Sequence, residues 1–154
     1  MTKVGIITNP GSHRNKGGLD SLRRAIAGHA DVRHAVLGAV SDIPEILRDF
    51  ASREVGLLAI VGGDGTVQAT LTGLLDSRPF DVLPTLAVLP GGRTNMIAAD
   101  AGIHSRRGQG MSRLLELAGT ADLADCVTER RILRIDNVRG VGSQFGMFFG
   151  AAAI

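Results

Sequence analysis

Residues 62–66 read Gly-Gly-Asp-Gly-Thr, inside the stretch LLAIVGGDGTVQATLTGLL of residues 57–75, which passes from an apolar block into an amphipathic run. Gly62 and Gly63 allow positive φ and close backbone approach, so a phosphate can rest on the N–H groups that open the next helix. An acid in the middle of such a loop, Asp64, would repel that anion by several kcal/mol, roughly, at low dielectric. A divalent cation between them, direct or through water, removes the conflict, because Mg2+ is commonly held by one or two carboxylates plus phosphate oxygens. The loop therefore points to a metal–nucleotide ligand rather than a bare phosphate. The plainer reading, a tight strand-to-helix turn with Asp64 as its N-cap, stays open. A Walker A loop is excluded because no Gly-Lys-Ser/Thr follows, and the dinucleotide fingerprint fails because Gln68 stands at its third glycine.

Two further loops carry donors. TNPGSHRNKGG brings Asn9 for a ribose or phosphate, the Ser12 hydroxyl, and the charges of Arg14 and Lys16; its alternative is a surface loop with incidental charge. LPGGRTN turns at Pro90-Gly91-Gly92 and offers Arg93, Thr94 and Asn95 as guanidinium, hydroxyl and amide contacts; its alternative is a helix start capped by Thr94 or Asn95. Elsewhere the chemistry is thin. His13, His29, His34 and His104 lack metal-site spacing, HSRRGQG at 104–110 reads as a solvated loop, and Cys126 reads as a small buried apolar group.

What must hold these loops is legible as alternating elements. KVGIIT at 3–8 is a short buried strand ended by Asn9-Pro10-Gly11. GGLDSLRRAIAGHA sets Leu19, Leu22 and Ile26 on one helical face, and DVRHAVL is a second strand. SDIPEILRDFASRE opens with Ser41 or Asp42 as N-cap and spaces Ile43, Ile46, Leu47 and Phe50 as a helix does. VGLLAIV at 55–61 is a strand apolar enough to be covered on both faces, VQATLTGLL is the helix after it, and TLAVLP is a fourth strand. This alternation predicts an α/β three-layer sandwich with a mostly parallel sheet, whose ligands bind at the carboxyl ends of the strands. All three glycine-bearing loops fall at such ends.

From about residue 129 the alternation stops. RRILRIDNVRG and SQFGMFFGAAAI read as two strands around a Gly140–Gly142 turn, the start of an antiparallel sheet. The expected division is residues 1–128 as a nucleotide-binding α/β domain and residues 129–154 as the first strands of a C-terminal β-sandwich domain that is mostly missing. The apolar run GMFFGAAAI predicts self-association, with a homodimer as one form.

Bulk composition narrows the partners. At 44% hydrophobic and 21% charged residues, the 154-residue chain is globular rather than disordered. A formal charge of +2 and the absence of Trp and Tyr argue against a nucleic-acid partner. The single cysteine excludes an internal disulfide and fits a reducing compartment, and the opening MTKVGIITNP breaks before a secretion signal could form. The expected location is cytoplasmic, with peripheral contact at a membrane.

Taken together, NPGS after the first strand, GGDGT after the third and LPGGRTN after the fourth resemble the diacylglycerol kinase catalytic domain and its bacterial lipid-kinase relatives, which include sphingosine kinases. The resemblance spans residues 3 to about 125. GGDGT is shared with the NAD kinases, whereas the third loop is similar to that of the lipid kinases. The resemblance implies ATP and Mg2+, and transfer of the γ-phosphoryl to a lipid hydroxyl, diacylglycerol or sphingoid-like. It implies phosphate contacts from Gly62, Gly63, Asp64, Gly65 and Thr66, nucleotide contacts from Asn9, Gln68, Gly92, Arg93, Thr94 and Asn95, and a catalytic, metal-organising role for Asp64. Two departures stand out. Arg93 and Met96 replace a Thr and an Asp of the family's third loop, with Asp100 one turn on as a substitute carboxylate, and the family's Asp-Gly-Glu base segment is absent. The chain alone is thus expected not to be a competent kinase. An NAD kinase-type phosphotransferase, in which Asp64 could be the base, and a catalytically silent nucleotide-binding module are the alternatives.

Overall fold

In β3, Leu57–Gly62, every residue is buried. Leu57, Ala59 and Val61 join one apolar cluster while Leu58 and Ile60 join another, so the strand's two-residue period feeds two cores. A strand like this must sit centrally in a sheet with helices on both faces. The computed structural model, which describes residues 2–12, 15, 19–100, 107–140 and 142–147, places it there.

Around it the chain runs β1 (Val4–Thr8), α1 (Asp20–Ile26), β2 (Val32–Val36), α2 (Ile43–Ser52), β3, α3 (Asp64–Ser77), β4 (Thr85–Pro90), α4 (Met96–Asp100) and α5 (Arg107–Ala118). The four strands form a parallel sheet in the order β2-β1-β3-β4. Right-handed crossovers then dictate the layers. Passing from β1 out to β2 puts α1 on one face, and reversing direction through β3 to β4 puts α2 and α3 on the other. Leu22, Met111 and Leu115 accordingly pack beneath β1 and β3 with α1 and α5, while Ile43, Leu47, Phe50, Val67, Leu71 and Leu74 cover the opposite face. This is the expected three-layer sandwich.

Local details depart from expectation in three places. Asp42 does precede α2, but its Oδ2 accepts the amides of Gly38 and Ala39 at 3.0 and 2.7 Å, so it closes the turn before the helix rather than capping it. Met111, Leu115 and Ala118 repeat at helical spacing in α5, whose opening residues 107–110 are helical rather than the solvated loop expected there. Cys126 is exposed rather than buried, because it ends a 3-10 turn, Ala121–Cys126, on the surface.

Beyond that turn, β5 (Leu133–Val138) and β6 (Gly142–Gly146) form the antiparallel hairpin read from the sequence. Phe145 and Met147 pack against the α2–α3 core, and Thr72 of α3 bonds the hairpin backbone: its Oγ1 accepts from Phe145 N at 3.1 Å and donates to Phe145 O at 3.5 Å. The residues of the apolar tail at 148–154 lie outside the described ones, as do His13, Arg14, Lys16 and residues 104–106. Among the described residues no helix is long and apolar enough to cross a membrane.

Candidate functional site

The strand order reverses between β1 and β3, and in open parallel sheets a ligand crevice lies above that point. Here the loops that follow the two strands are laced together. Asn9 N donates to Val61 O at 3.1 Å, and Asn9 Nδ2 donates to Thr66 Oγ1 at 2.9 Å, while Asn9 Oδ1 accepts Gly11 N at 2.9 Å. Ser12 Oγ accepts the Gly63 amide at 3.3 Å. Asn15 is buried under the lacing, and its Nδ2 donates to Asn9 O at 2.6 Å and to Val61 O at 3.2 Å. Its Oδ1 is buried without a hydrogen-bond partner. The sequence reading passed over Asn15; an uncharged amide among glycines and basic residues gives no periodic signal.

The glycine pairs serve a purpose other than the expected positive φ. Gly63 is extended at φ −89°, and none of Gly62, Gly63, Gly91 or Gly92 is among the positive-φ residues. What they permit is backbone laid on backbone. Gly91 N donates to Gly62 O at 2.9 Å, and a Cβ added at Gly92 would stand 2.5 Å from the Gly63 Cα, one at Gly91 2.9 Å from the Gly62 Cα. The loops after β3 and β4 therefore form one slab. Gly65 differs: an added Cβ there meets nothing within 4 Å. It opens α3 on an exposed face, and among the described residues the amides of Asp64 and Gly65 have no protein partner.

Asp64 has an assignment that the sequence could not show. Its Oδ2 accepts Met96 N at 3.2 Å and its Oδ1 accepts Ile97 N at 3.1 Å. The acid at the start of α3 thus caps α4, 32 residues on, while α3 itself has Gly63 as N-cap with no side-chain cap bond. Neither Thr94 nor Asn95 caps α4 through its side chain. Asn95 instead folds onto Gly92, accepting its amide at 2.7 Å and donating to its carbonyl at 2.8 Å, from a left-handed backbone at φ 53°. Each Asp64 oxygen keeps a free lone pair, since a carboxylate oxygen accepts about two bonds.

Of the residues expected at a nucleotide site, Asn9, Gly62, Gly63, Asp64, Thr66, Gly92 and Asn95 are brought into this slab by the bonds and contacts above, and Gly65 follows Asp64 at the open start of α3. Arg93 and Thr94 are exposed at its rim, and Gln68 is exposed one turn into α3, its Nε2 3.4 Å from Gln144 Oε1 of the hairpin. Met96 is 51% exposed beside Asp64. Asp100 ends α4, with its side chain outside the described residues. Among the described residues no three His, Cys, Asp or Glu side chains gather as a metal cluster.

One titratable group near the loops is perturbed. His34 Nε2 on edge strand β2 lies 2.9 Å from Thr8 Oγ1, and partial burial first, then the Arg23 charge, holds its pKa below the ordinary value.

Comparison with known proteins bears on this arrangement. The family model described as the diacylglycerol kinase catalytic domain matches residues 3–127. Diacylglycerol kinase of Bacillus subtilis (strain 168) is 36% identical over 107 residues, which is 67% of this chain and 34% of that protein. A solved structure of a diacylglycerol kinase from Bacillus anthracis str. Sterne superposes with a TM-score of 0.59 at 28% identity, covering 74% of this chain and 42% of that one. A candidate diacylglycerol kinase from the same strain gives a TM-score of 0.62 at 27% identity, covering 74% and 41%. The chain spans about a third of the length of the curated relative it matches.

Proposed function

The chain belongs to the diacylglycerol kinase catalytic domain family, and from that premise we propose that it is the ATP-binding part of a lipid kinase that passes the γ-phosphoryl of ATP to a lipid hydroxyl. One observation carries the reading. The start of α3 presents two amides without a partner among the described residues and an open glycine face at Gly65, directly beside a carboxylate with acceptor capacity to spare. Amides at the start of a 14-residue helix attract phosphate oxygens. A cation shared between the acid and the phosphates would relieve their repulsion.

The residues fit Mg2+ held by Asp64, through water or directly, with the remaining positions filled by phosphate oxygens and water. Bound there, Mg2+ would neutralise charge on the transferring group. The protein's own part is positioning, which is most of what phosphoryl transfer demands. Gly65 lets the polyphosphate approach the backbone, the slab of Gly62, Gly63, Gly91 and Gly92 keeps the loops at fixed separation, and Arg93 at the rim supplies positive charge.

Incubation of a complete protein that carries this chain with γ-labelled ATP, Mg2+ and either dispersed diacylglycerol or NAD+ tests this. Label in the lipid phase is the expected result; label in NAD+ would overturn the acceptor class. A second reading, a silent nucleotide-binding module, is favoured by the exposed Met96 where a second acid would stand. ATP binding with no label in either acceptor would select it.

A further inference from the structure

The β5–β6 hairpin reaches the same place from the other side. Gln144 lies against Gln68, and Phe145 against Thr72, so β6 runs along α3 in the same direction as the helix. Residues 64, 68 and 72 are spaced four apart and share one stripe of α3. Going back from Gln68 to Asp64 covers about 6 Å of helix axis, and going back from Gln144 to Gly142 covers about 7 Å of strand. The hairpin turn is thereby level with the first residues of α3. At that turn, next to Gly140, stands Arg139, exposed and without an ion pair or hydrogen bond among the described residues. The hairpin's other well-defined cation, Arg134, is already held by Asp136 at 2.7 Å and lies 5.8 Å from the Phe145 ring centroid. Asp64, the nearest acid on the stripe, has its oxygens on the amides of α4 rather than on a cation of the hairpin.

We propose that Arg139 is a second-site phosphate contact, reaching from the hairpin turn over the start of α3 to the outer phosphates of the bound nucleotide. The inference rests on the nucleotide reading above and extends it to a residue outside the three loops. A guanidinium suits this role because its fork of donors matches phosphate oxygens and its charge persists at every working pH. The outer phosphates are the assignment because Arg139 approaches from outside the three loops that would hold the rest of the nucleotide.

Titration of ATP and of AMP, each with Mg2+, into the full chain and its R139A, R139K and R131A variants tests the assignment. Arg131 is exposed at the opposite end of the hairpin and controls for net charge. R139A is expected to weaken ATP by about tenfold or more, in line with loss of a charged hydrogen bond. AMP affinity should stay within about twofold under the same arithmetic. R139K should recover part of the loss and R131A should match the parent. ATP affinity unchanged in R139A overturns the proposal, as does an equal loss for ATP and AMP. If the parent chain itself binds no ATP, the nucleotide reading falls first and this inference with it.

Discussion

Asp64 answers to two demands at once, and substitutions separate them. Replacing it with Ala strips the acceptor from Met96 N and Ile97 N, and a lost cap of this kind costs about 1 kcal/mol. Replacing it with Asn keeps one acceptor oxygen and removes the charge. Chemical denaturation is therefore expected to rank wild type above D64N above D64A, while ATP affinity in D64N loses its dependence on Mg2+. A D64N protein still sensitive to the cation would mean that the acid only braces the fold. The glycines separate in the same way. Gly92→Ala forces a Cβ to 2.5 Å from the Gly63 backbone and should destabilise by about 1–3 kcal/mol as overpacking does. Gly65→Ala meets nothing, and should hold or raise stability by up to about 1 kcal/mol. Its ATP affinity should nonetheless fall by about tenfold or more if a phosphate rests there, a loss worth about 1.4 kcal/mol. At this scale the sequence showed which residues were unusual and not whom they touch. The acid in the glycine loop was visibly anomalous, but its partner amides stand beyond a whole helix and strand, and become neighbours only because β3 and β4 pair in register. Asn15 was invisible for the same reason, since one of its carbonyl partners, Val61, lies in β3, 46 residues on.

Elements were more legible, because periodicity is a local property. Both faces of β3 were implied by its unbroken apolar run, and the four strands and the helices between them follow from alternation of period 2 and period 3.6. Helix α5 escaped because Gly108 and Gly110 dilute its first turn, although Met111, Leu115 and Ala118 carry the stripe. The hairpin was foreseen as a hairpin, but its seat on α3 was not, since the Thr72 hydroxyl, the Gln68–Gln144 pair and the packing of Phe145 and Met147 join residues more than 70 positions apart. Thr72→Val keeps the volume and removes both bonds to Phe145. The expected cost is about 1–2 kcal/mol, with proteolysis near residues 127–132 accelerated while the parallel sheet stays intact. Edge strand β2 offers a pH probe. Burial and Arg23 depress the His34 pKa, so the fold favours the neutral ring. The sign follows from linkage: this contribution is present above the ordinary value of 6.5 and is lost as pH falls through the lower folded value. His34→Gln, which can still meet Thr8, should flatten the decline in unfolding free energy on the acid side of neutrality. An unchanged slope would place the acid sensitivity elsewhere.

For the molecule as a whole, connectivity does the work that no residue does alone. The order β2-β1-β3-β4, with right-handed crossovers, obliges the loops after β1, β3 and β4 to leave the same edge of the sheet, and glycine pairs let two of them stack. The consequence is a site composed of several segments, so a ligand bound there holds together parts of the chain that otherwise open separately. Such a ligand must raise the stability of the entire cooperative unit. At a hundredfold excess over its dissociation constant the gain is about 2.7 kcal/mol, and for a chain of this size each kcal/mol moves the melting temperature by about 2–4 °C. ATP with Mg2+ is thus expected to raise Tm by about 5–10 °C. The same ATP concentration with EDTA should raise it far less, because Asp64 then faces the phosphates without an intervening cation. A single shifted transition is the form this should take, as the hairpin, the slab and the sheet share the α2–α3 core through Phe145 and Met147. Two transitions, only one of them responding to ATP, would show instead that the hairpin melts apart from the sheet, and the contact proposed for Arg139 would then lack the rigid base it requires.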